Sequence, residues 1–582
     1  MTYETVGNPP AHGRAMPSLT AKIIHGKTYY YLRECQRVNG RPKIVKTVYL
    51  GRLEKLLAAV EGAQNPPRHE SVDIAAFGDV LALYDLAEQI GLVELIDRHT
   101  PKQRDQGLST GQYLLLAAIN RAVHPTSKAR LADWYRQTSL TRLVPAAARQ
   151  LSSQAFWNHM DLVREEHIAA IERDLSRTLV EKFGLSLRML TYDGTNFFTY
   201  INTKNPAQLP QRGHNKQKRN DLRQVSLGML VSTDFHVPLF HKVYEGNVHD
   251  ATIFQTVSEE LRQRYVELAR GCEHITLVFD KGNNSQKAFE TLEASRFHFV
   301  GSLVPSQHSD LLEVPLRKFQ PLEGERLKEC LAWRTRRVVF GQERTIVVTY
   351  NENLLEGQLQ GITRNLEKTR RKLREIQSRL RGRREGRIRG GKSPTAASVK
   401  KQVQEAISAQ FMKPLFRSEV AEGEPPSLVF QTDSAALSRL VKTQLGKTIL
   451  FTDNDDWTSE EIVLAYRSQH HIEDAFRQMK HPHFLGWMPM FHWTDSKIRV
   501  HAFYCVLALT LSSLLARTLH QKGIDLSIPR MFELLGGIRE TLVIYPRKQG
   551  QHKHPTRTSL STLSEEQEKL LDALDLRRYL PR

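Results

Sequence analysis

The chain has 582 residues, of which 40% are hydrophobic and 25% charged, a composition that predicts packed domains and excludes global disorder. Its 83 Lys and Arg against 63 Asp and Glu give a formal net charge of +20, which favours a polyanionic partner, most commonly a phosphate backbone. The four Cys are scattered without a C-x-x-C pair. This argues against a disulfide framework and a Cys-rich zinc site, and favours a reducing compartment.

The N-terminal part, residues 1–60, is predicted to be a strand-rich arm after roughly 20 disordered residues. The segments KTYYYLRECQRV and KIVKTVYLG flank the turn sequence NGRP, which is typical of a hairpin. One face of this hairpin either contacts nucleic acid or is the solvated face of a small sheet. Residues 61–70 are expected to be a linker.

Residues 71–182 are predicted to be helical, because apolar residues recur at spacings of three and four. A helical bundle with basic outer faces is compatible with binding of DNA ends. A scaffold packed against another domain is the equally open alternative.

Residues 185–305 show the order β-β-β-α-β-α-β. Hairpins come first and a crossover unit comes after them, which predicts a mixed sheet with helices packed on it. Asp193 lies within the first strand, Asp250 is a natural N-cap of the first helix, and Asp280 ends the fourth strand.

Residues 306–445 interrupt this regularity with a predicted hairpin and then a basic helix. From Thr363 to Lys392 there are 13 Lys and Arg against 3 Glu, a net charge of +10. The helix either contacts phosphate groups or is a solvent-exposed helix followed by a basic tail. The concentrated positive charge favours contact with phosphate groups. Leucine, isoleucine and threonine residues at alternating spacings of three and four predict a coiled-coil-like seam at Leu359, Ile362, Leu366, Thr369, Leu373, Ile376 and Leu380.

From residue 446 a strand is followed by helices. Thr458 and Glu461 form a capping-box pattern that opens one long predicted helix. The apolar run from Phe503 to Ala516 is shorter than the roughly 20 residues of a membrane-spanning helix, so a buried core helix is expected and no membrane association. The end from about residue 550 is expected to be loosely ordered apart from one helix at SEEQEKLLDALDL.

Asp193 and Asp280 are candidate ligands for two divalent metal ions. Both come after apolar runs that carry them toward the sheet, and neighbouring strands lie about 4.8 Å apart. Mg²⁺ and Mn²⁺ prefer such oxygen ligands, and paired ions stabilise the attacking and leaving oxygens of a phosphodiester. The alternative is a turn-capping role, which is more natural for Asp280 than for Asp193.

Glu473 is a third candidate carboxylate. A spacing of seven places Tyr466, Glu473 and Lys480 on one face of a helix. The ordinary alternative is a surface ion pair between Glu473 and Arg477, four residues further on.

The ordered motifs TYDGTNFFTY, GHNKQKRNDLRQVSLGML, YEGNVHD, LVFDKGNNS and YRSQHHIEDAFRQMK resemble those of the DDE transposases of bacterial insertion sequences. The resemblance is to the group whose third motif is Tyr-Arg-Glu-Lys and whose catalytic domain carries an insertion. It implies an α+β fold, with a ribonuclease-H-like mixed sheet flanked by helices at 185–305 and 446–520. The insertion domain would be 306–445, the N-terminal strand hairpin and helical region would precede the sheet, and the C-terminal region would be 521–582.

The resemblance also implies roles for individual residues. Asp193, Asp280 and Glu473 would be the catalytic metal-binding triad, and Tyr466 and Lys480 would contact DNA. The family motif has Arg three residues after the Tyr, where this chain has Gln469, so Arg467 is the nearby substitute. Further DNA contacts are expected from Arg477, Lys216, Arg219, Arg370, Arg371 and Arg374.

The resemblance therefore implies a Mg²⁺- or Mn²⁺-dependent transposase that uses two ions. Its partner would be double-stranded DNA, as element ends and as target, and it would act as a homodimer or higher oligomer in the bacterial cytoplasm, at the nucleoid. A metal-dependent nuclease without strand transfer and a catalytically inactive DNA-binding descendant are the alternatives.

Overall fold

A computed structural model of the chain describes residues 16–38, 41–64, 69–102, 107–215, 217, 219–248, 252–254, 256–260, 274–294, 297–547 and 554–581. The chain divides into two compact units. The smaller unit comprises the chain up to Ala75, Arg539–Ser561 and the last residues from Leu580. The larger unit comprises Ala76–Ile538 and Thr562–Tyr579.

The smaller unit contains an antiparallel sheet of strands β1 (Met16–Ile24), β2 (Lys27–Val38) and β3 (Arg41–Gly51), in that order. The predicted hairpin corresponds to β2 and β3. The expected disorder of the first 20 or so residues is wrong from Met16 onward, because β1 pairs with β2 from Met16 opposite Cys35.

A helix, Leu53–Gln64, extends into the predicted linker 61–70, so that linker begins later than expected. A second sheet of the smaller unit has the order β17-β16-β4, formed by β4 (Ser71–Ala76), β16 (Arg539–Ile544) and β17 (Thr556–Leu560). The expectation of a loosely ordered end is therefore wrong at β17, which pairs along its whole length with β16.

The larger unit begins with the predicted helical region. Its first predicted helix is two helices, because Gly91 adopts a left-handed backbone conformation with φ 75° that ends the first of them. The helices are Gly78–Ile90, Leu92–His99, Thr110–Val123, Leu131–Arg136, Leu140–Leu143, Ser153–Asp161 and Glu165–Phe183.

A nine-stranded mixed sheet forms the centre of the larger unit, with the order β10-β11-β12-β15-β9-β8-β5-β6-β7. Every residue of β6 is buried, so both faces of the sheet are covered at that strand. The strands are β5 (Met189–Thr199), β6 (Arg223–Ser232), β7 (Pro238–Glu245), β8 (Ile275–Phe279), β9 (Phe297–Ser302), β10 (Gln320–Pro321), β11 (Cys330–Val339), β12 (Gln342–Asn351) and β15 (Lys447–Thr452).

The strand order predicted for 185–305 agrees with this sheet. β5, β6 and β7 are antiparallel neighbours, and β8 and β9 are parallel to β5. Residues 252–254 and 256–260 are helical between β7 and β8, and the helix Gln286–Glu293 connects β8 to β9. The predicted N-cap Asp250 lies outside the described residues.

The hairpin β11–β12 extends this same sheet, because β12 pairs with β15 and β15 pairs with β9. The predicted insertion boundary at 306 is therefore corrected. Only residues 352–445 leave the sheet, between β12 and β15. The backbone N–H of Asn351 donates to the carbonyl of Gly446 (2.9 Å) at the point of departure.

The segment 352–445 has a hydrophobic core of its own. The helix Glu352–Arg384, here called the basic helix, packs against the helices Ala396–Ala406, Met412–Leu415 and Ser434–Thr443 and the hairpin β13 (Phe416–Ala421) and β14 (Ser427–Thr432). The predicted seam residues Ile362, Thr369, Leu373, Ile376 and Leu380 are buried. The seam thus faces this local core and leaves most basic residues of the helix exposed.

Two helices come after β15 where one was predicted. They are Ser459–Arg467, called the Tyr466 helix, and His470–Met479, called the Glu473 helix. The predicted capping box at Thr458 and Glu461 is present. At the break, backbone N–H groups bond three residues back, as from His471 to Ser468 (3.0 Å), which tightens the turn between the two helices.

The helix Asp495–Gln521, called the core helix, packs against the helices Gly78–Ile90 and Thr110–Val123 and against β7. It is followed by the helices Ile528–Gly536 and Glu565–Ala573. Among the described residues, the core helix alone is long and apolar enough to cross a membrane, and 94% of its most apolar 18-residue window is buried inside the protein. The helix that contains Phe503 to Ala516 is therefore long enough to cross a membrane, contrary to the expectation from the apolar run alone. The burial predicted for this run is observed.

Candidate active site

Asp193 lies on β5, and Asp280 directly follows the neighbouring parallel strand β8. The register of β5 and β8 pairs Met189 with Thr276 and Thr191 with Val278, and the same register continued by two residues would bring Asp193 opposite Asp280. Residues at one level of adjacent strands point to the same face of a sheet, about 4.8 Å apart. Both carboxylates are half-buried rather than interior, which is what a ligand-accessible pair requires.

The Asp280 carboxylate is held by two hydroxyl groups. Its Oδ1 accepts hydrogen bonds from Ser302 Oγ (3.0 Å) and from the Tyr466 hydroxyl (3.2 Å). Ser302 ends β9, and the register of β8 and β9 places it beside Asp280. Three successive strands therefore contribute polar side chains at one level.

Burial and the charges of Asp280 and Glu473 raise the pKa of the Tyr466 hydroxyl. Tyr466 therefore stays a protonated donor at neutral pH, directed at Asp280 and Ser302. The same effect shows that the Glu473 carboxylate lies within electrostatic range of this group.

Glu473 is brought to the sheet by its helix. Ile472, Ala475, Phe476 and Met479 are buried, and the Glu473 helix contacts β5 and β6 through this apolar face. Glu473 itself is exposed. The ion pair expected as the ordinary alternative for Glu473 is instead formed by Asp474, whose carboxylate pairs with Arg477.

Lys480 caps the end of the Glu473 helix and reaches β5. Its Nζ donates to Thr195 Oγ1 (2.6 Å) and lies 5.3 Å from the centre of the Phe197 ring. Thr195 is two residues after Asp193 and so shares its face of the strand. One continuous helix was predicted to align Tyr466, Glu473 and Lys480. This prediction is wrong, because Tyr466 is on a separate helix. Sheet contacts, not helical periodicity, direct Tyr466 and Lys480 to this face.

The other predicted DNA-contacting residues have local partners or lie elsewhere. Arg467 donates to the carbonyl of Arg326, and Arg219 forms a two-point pair with Asp221 at 2.8 Å. Lys216 lies outside the described residues. On the basic helix, Arg370 donates to Thr432 Oγ1 (3.0 Å), whereas Arg371 and Arg374 are exposed. These two line a groove of about 800 Å³ together with Arg370 and Arg379.

Ser302 and Thr195 were missed by sequence reasoning. Each is a hydroxyl residue on a strand next to a candidate carboxylate, and this position is the signal that marks them. Recognising it requires the strand register, because Ser302 is 22 residues from Asp280.

The donor set at this site is made of carboxylates, which suit a hard divalent cation rather than zinc. Asp193 and Asp280 fit such a role by their positions on β5 and directly after its parallel neighbour β8. Among the described residues, no three His, Cys, Asp or Glu side chains lie close enough together to form a complete metal site.

Comparison with solved structures gives weak overall similarity. A piggyBac transposase synaptic complex with hairpin DNA aligns with 80% of this chain and 82% of that chain, at 9% identity and a TM-score of 0.35. A Mos1 transposase paired-end complex with the left transposon end aligns with 34% and 61%, at 13% identity and a TM-score of 0.14. The chain matches no curated protein.

The family comparison is decisive. The model of the transposase DDE domain matches residues 192–511, more than half of the chain, and the matched region contains Asp193, Asp280 and Glu473. The chain belongs to the DDE transposase domain family.

Proposed function

We propose that this protein binds the inverted ends of its own insertion sequence, cuts the DNA to free a 3′-OH and joins that 3′-OH to target DNA. The observation that supports the proposal best is the position of Asp193 on β5 and of Asp280 directly after the parallel neighbour β8, with Tyr466 bonded to Asp280. We assign the sheet around β5–β9 to a ribonuclease-H-like core, and residues 352–445 to an insertion in it.

In this proposal Asp193, Asp280 and Glu473 hold two divalent metal ions, Mg²⁺ or Mn²⁺. Such ions stabilise the charge on the attacking and leaving oxygens of a phosphodiester. Ser302 and Tyr466 orient the Asp280 carboxylate, because both donate hydrogen bonds to it. Lys480, anchored at Thr195, offers a cation to a DNA phosphate on the Asp193 face.

The basic helix is the proposed second contact with DNA. Its exposed Arg371, Arg374 and Arg379 line one groove together with Glu367 and Glu375, and the excess of positive charge there suits a phosphate backbone. Arg467, Arg477, Arg219 and Lys216 stay proposals for weaker contacts. We further propose that the protein assembles on DNA as a dimer or larger oligomer in the bacterial cytoplasm.

The test uses the DNA that flanks the gene. Terminal inverted repeats found there would be made as labelled duplexes and incubated with the full chain, Mg²⁺ and a target plasmid. Release of a 3′-OH and its joining to the plasmid are expected, and excess chelator should abolish both. Cleavage without joining would instead indicate a nuclease, and end binding without cleavage would indicate an inactive DNA-binding descendant.

A further inference from the structure

A pocket of about 280 Å³ in the larger unit is lined by several side chains with nitrogen atoms and by none of the three candidate carboxylates. Arg121 comes from the helix Thr110–Val123, Lys128 from the turn after it, and Trp157 from the helix Ser153–Asp161. His492 comes from the segment that joins the Glu473 helix to the core helix. Three separate parts of the chain thus converge on one space.

Four buried nitrogen atoms of these side chains have no hydrogen-bond partner in the described part of the chain. They are Arg121 Nε, Lys128 Nζ, Trp157 Nε1 and His492 Nδ1. Lys128 is 6% exposed and Arg121 is 1% exposed. Buried polar groups are nearly always paired, so four unpaired nitrogens around one pocket make it a suitable place for a water molecule or ligand that accepts hydrogen bonds.

No acidic side chain is found among the described residues that line the pocket. Two guanidinium nitrogens of Arg121 donate to the carbonyls of Thr126 (2.8 Å) and Gly486 (3.4 Å). The Lys128 ammonium lies 4.4 Å from the ring centre of Phe156 and 4.2 Å from that of Tyr504. Carbonyls and aromatic rings attract a cation but supply no full negative charge.

The cations that line the pocket affect the pKa values of their neighbours. Burial and the Arg121 charge lower the pKa of Lys128 well below its usual value. Burial and the charges of Lys128 and Arg121 likewise lower the pKa of His492. An anion bound between Lys128, Arg121 and His492 would favour the charged forms of Lys128 and His492 and so oppose the lowering of their pKa values.

The backbone adds to the attraction. The helix Ser153–Asp161 begins at the pocket, where Ser153 is a lining residue, and Ser152 caps it by accepting from the N–H of Ala155 (3.2 Å). The N-terminal end of a helix carries partial positive charge and binds phosphate groups.

We propose that this pocket binds a phosphate group, held by Arg121, Lys128 and Trp157. The oxygens of a phosphate group are arranged tetrahedrally and accept hydrogen bonds from several directions at once. This matches a pocket whose donors come from three parts of the chain. The phosphate comes either from the DNA backbone or from a free phosphorylated molecule, and the backbone source rests on the proposed function. Phe491, 60% exposed, lines the same pocket and leaves it open to solvent.

The first experiment titrates the full-length, DNA-free protein with inorganic phosphate and monitors binding by ³¹P NMR and calorimetry. Wild type should bind. Trp157→Phe keeps the ring and removes one donor, and Lys128→Met keeps the chain length and removes the ammonium, so each should weaken binding about tenfold or more. Arg130→Gln, an exposed cation two residues after Lys128, should change it less than twofold.

Two results would overturn the proposal. One is the absence of phosphate binding by folded wild type. The other is equal weakening by Arg130→Gln and Lys128→Met, since that would show general attraction to a basic surface. Circular dichroism of each variant reports its folding, and the conservative Trp157→Phe keeps the test valid if Lys128→Met unfolds.

A second experiment separates the two sources. If the phosphate belongs to DNA, duplex DNA should displace inorganic phosphate, and Lys128→Met should flatten the dependence of log affinity on log salt by about 0.9. If the phosphate belongs to a free molecule, Lys128→Met should lose binding of inorganic phosphate, while the salt dependence of DNA binding should stay unchanged. Both experiments measure binding and neither measures DNA cleavage or joining. A protein without transposase activity could therefore still bind phosphate in this pocket, and the two proposals can fail independently.

Discussion

The Tyr466 hydroxyl donates a hydrogen bond to Oδ1 of Asp280 (3.2 Å) across 186 residues of sequence. The same hydroxyl lies 3.0 Å from Ser302 Oγ, which also donates to Asp280. One aspartate of the candidate site is therefore positioned by the Tyr466 helix, which follows the segment 352–445, and by the end of the neighbouring strand β9.

Tyr466→Phe should slow DNA cleavage about tenfold or more while the protein stays folded. The change removes one hydrogen bond to a charged group, worth about 1.5–3 kcal/mol, and keeps the buried ring. Single-turnover release of the 3′-OH measures the rate, and thermal unfolding measures stability. Ser302→Ala removes the other donor and should act in the same direction. Wild-type rates in both variants would contradict the positioning role.

Glu473→Gln should abolish cleavage and joining but leave binding of the element ends within a few fold. Loss of a metal ligand removes several kcal/mol of transition-state stabilisation, which is about a thousandfold or more in rate. Its matched control is the adjacent Asp474→Asn, which breaks the partly exposed pair with Arg477 and should cost less than about 1 kcal/mol of stability. Gel shift and cleavage assays report both. An active Glu473→Gln, or an inactive Asp474→Asn, would reassign the third carboxylate.

Replacement of Arg371, Arg374 and Arg379 by Gln should weaken DNA binding and flatten its salt dependence by up to about 0.9 per lost phosphate contact. Arg370 is kept, because its bond to Thr432 also supports the local core. Affinity for the element ends is measured at several salt concentrations. Arg136→Gln, an exposed arginine paired with Asp133 outside the basic helix, is the single-charge control. If the slope of log affinity against log salt is unchanged, the exposed arginines of the basic helix contact solvent and not DNA.

Stability should fall as the pH is lowered from about 6.5 toward 4, in part through His236. Burial, with the charges of His471 and His470, lowers the pKa of His236 to about 4, and Asp474 opposes this. The unfolded state, with a pKa near 6.5, then binds more protons than the folded state in this window, so stability present above pH 6.5 is lost on acidification. The loss from pH 7 to pH 5 should be about 2 kcal/mol, at about 1.36 kcal/mol per pKa unit.

Urea unfolding at pH 7, 6 and 5 measures this dependence. His236→Gln should reduce the decline, whereas His483→Gln, at an exposed position, should leave it unchanged. An identical decline in His236→Gln and wild type would show that other groups are responsible.

Local patterns in the sequence predicted the parts of this fold that depend on neighbouring residues. The capping box at Thr458 is an interaction over three residues, and the seam from Ile362 to Leu380 is a helical repeat. The apolar runs before Asp193 and Asp280 predicted two strands. Each of these features is determined by interactions within one element, so a single sequence is sufficient.

The features that were missed depend on contacts between distant segments. The role of Ser302 depends on the register of β8 and β9, and the place of the β11–β12 hairpin depends on its pairing with β15. The break at Ser468 and Gln469 has no Gly or Pro to mark it. Asp474 rather than Glu473 pairs with Arg477, and helical spacing permits either choice.

The two ends of residues 352–445 leave the sheet side by side, since Tyr350 pairs with Lys447 and Asn351 bonds to Gly446. Topologically, the whole segment is an enlarged turn between two antiparallel strands. A short loop would close the same connection without a change of register, so during evolution this segment can be gained, exchanged or lost as a unit. Such changes would leave the carboxylate-bearing strands intact.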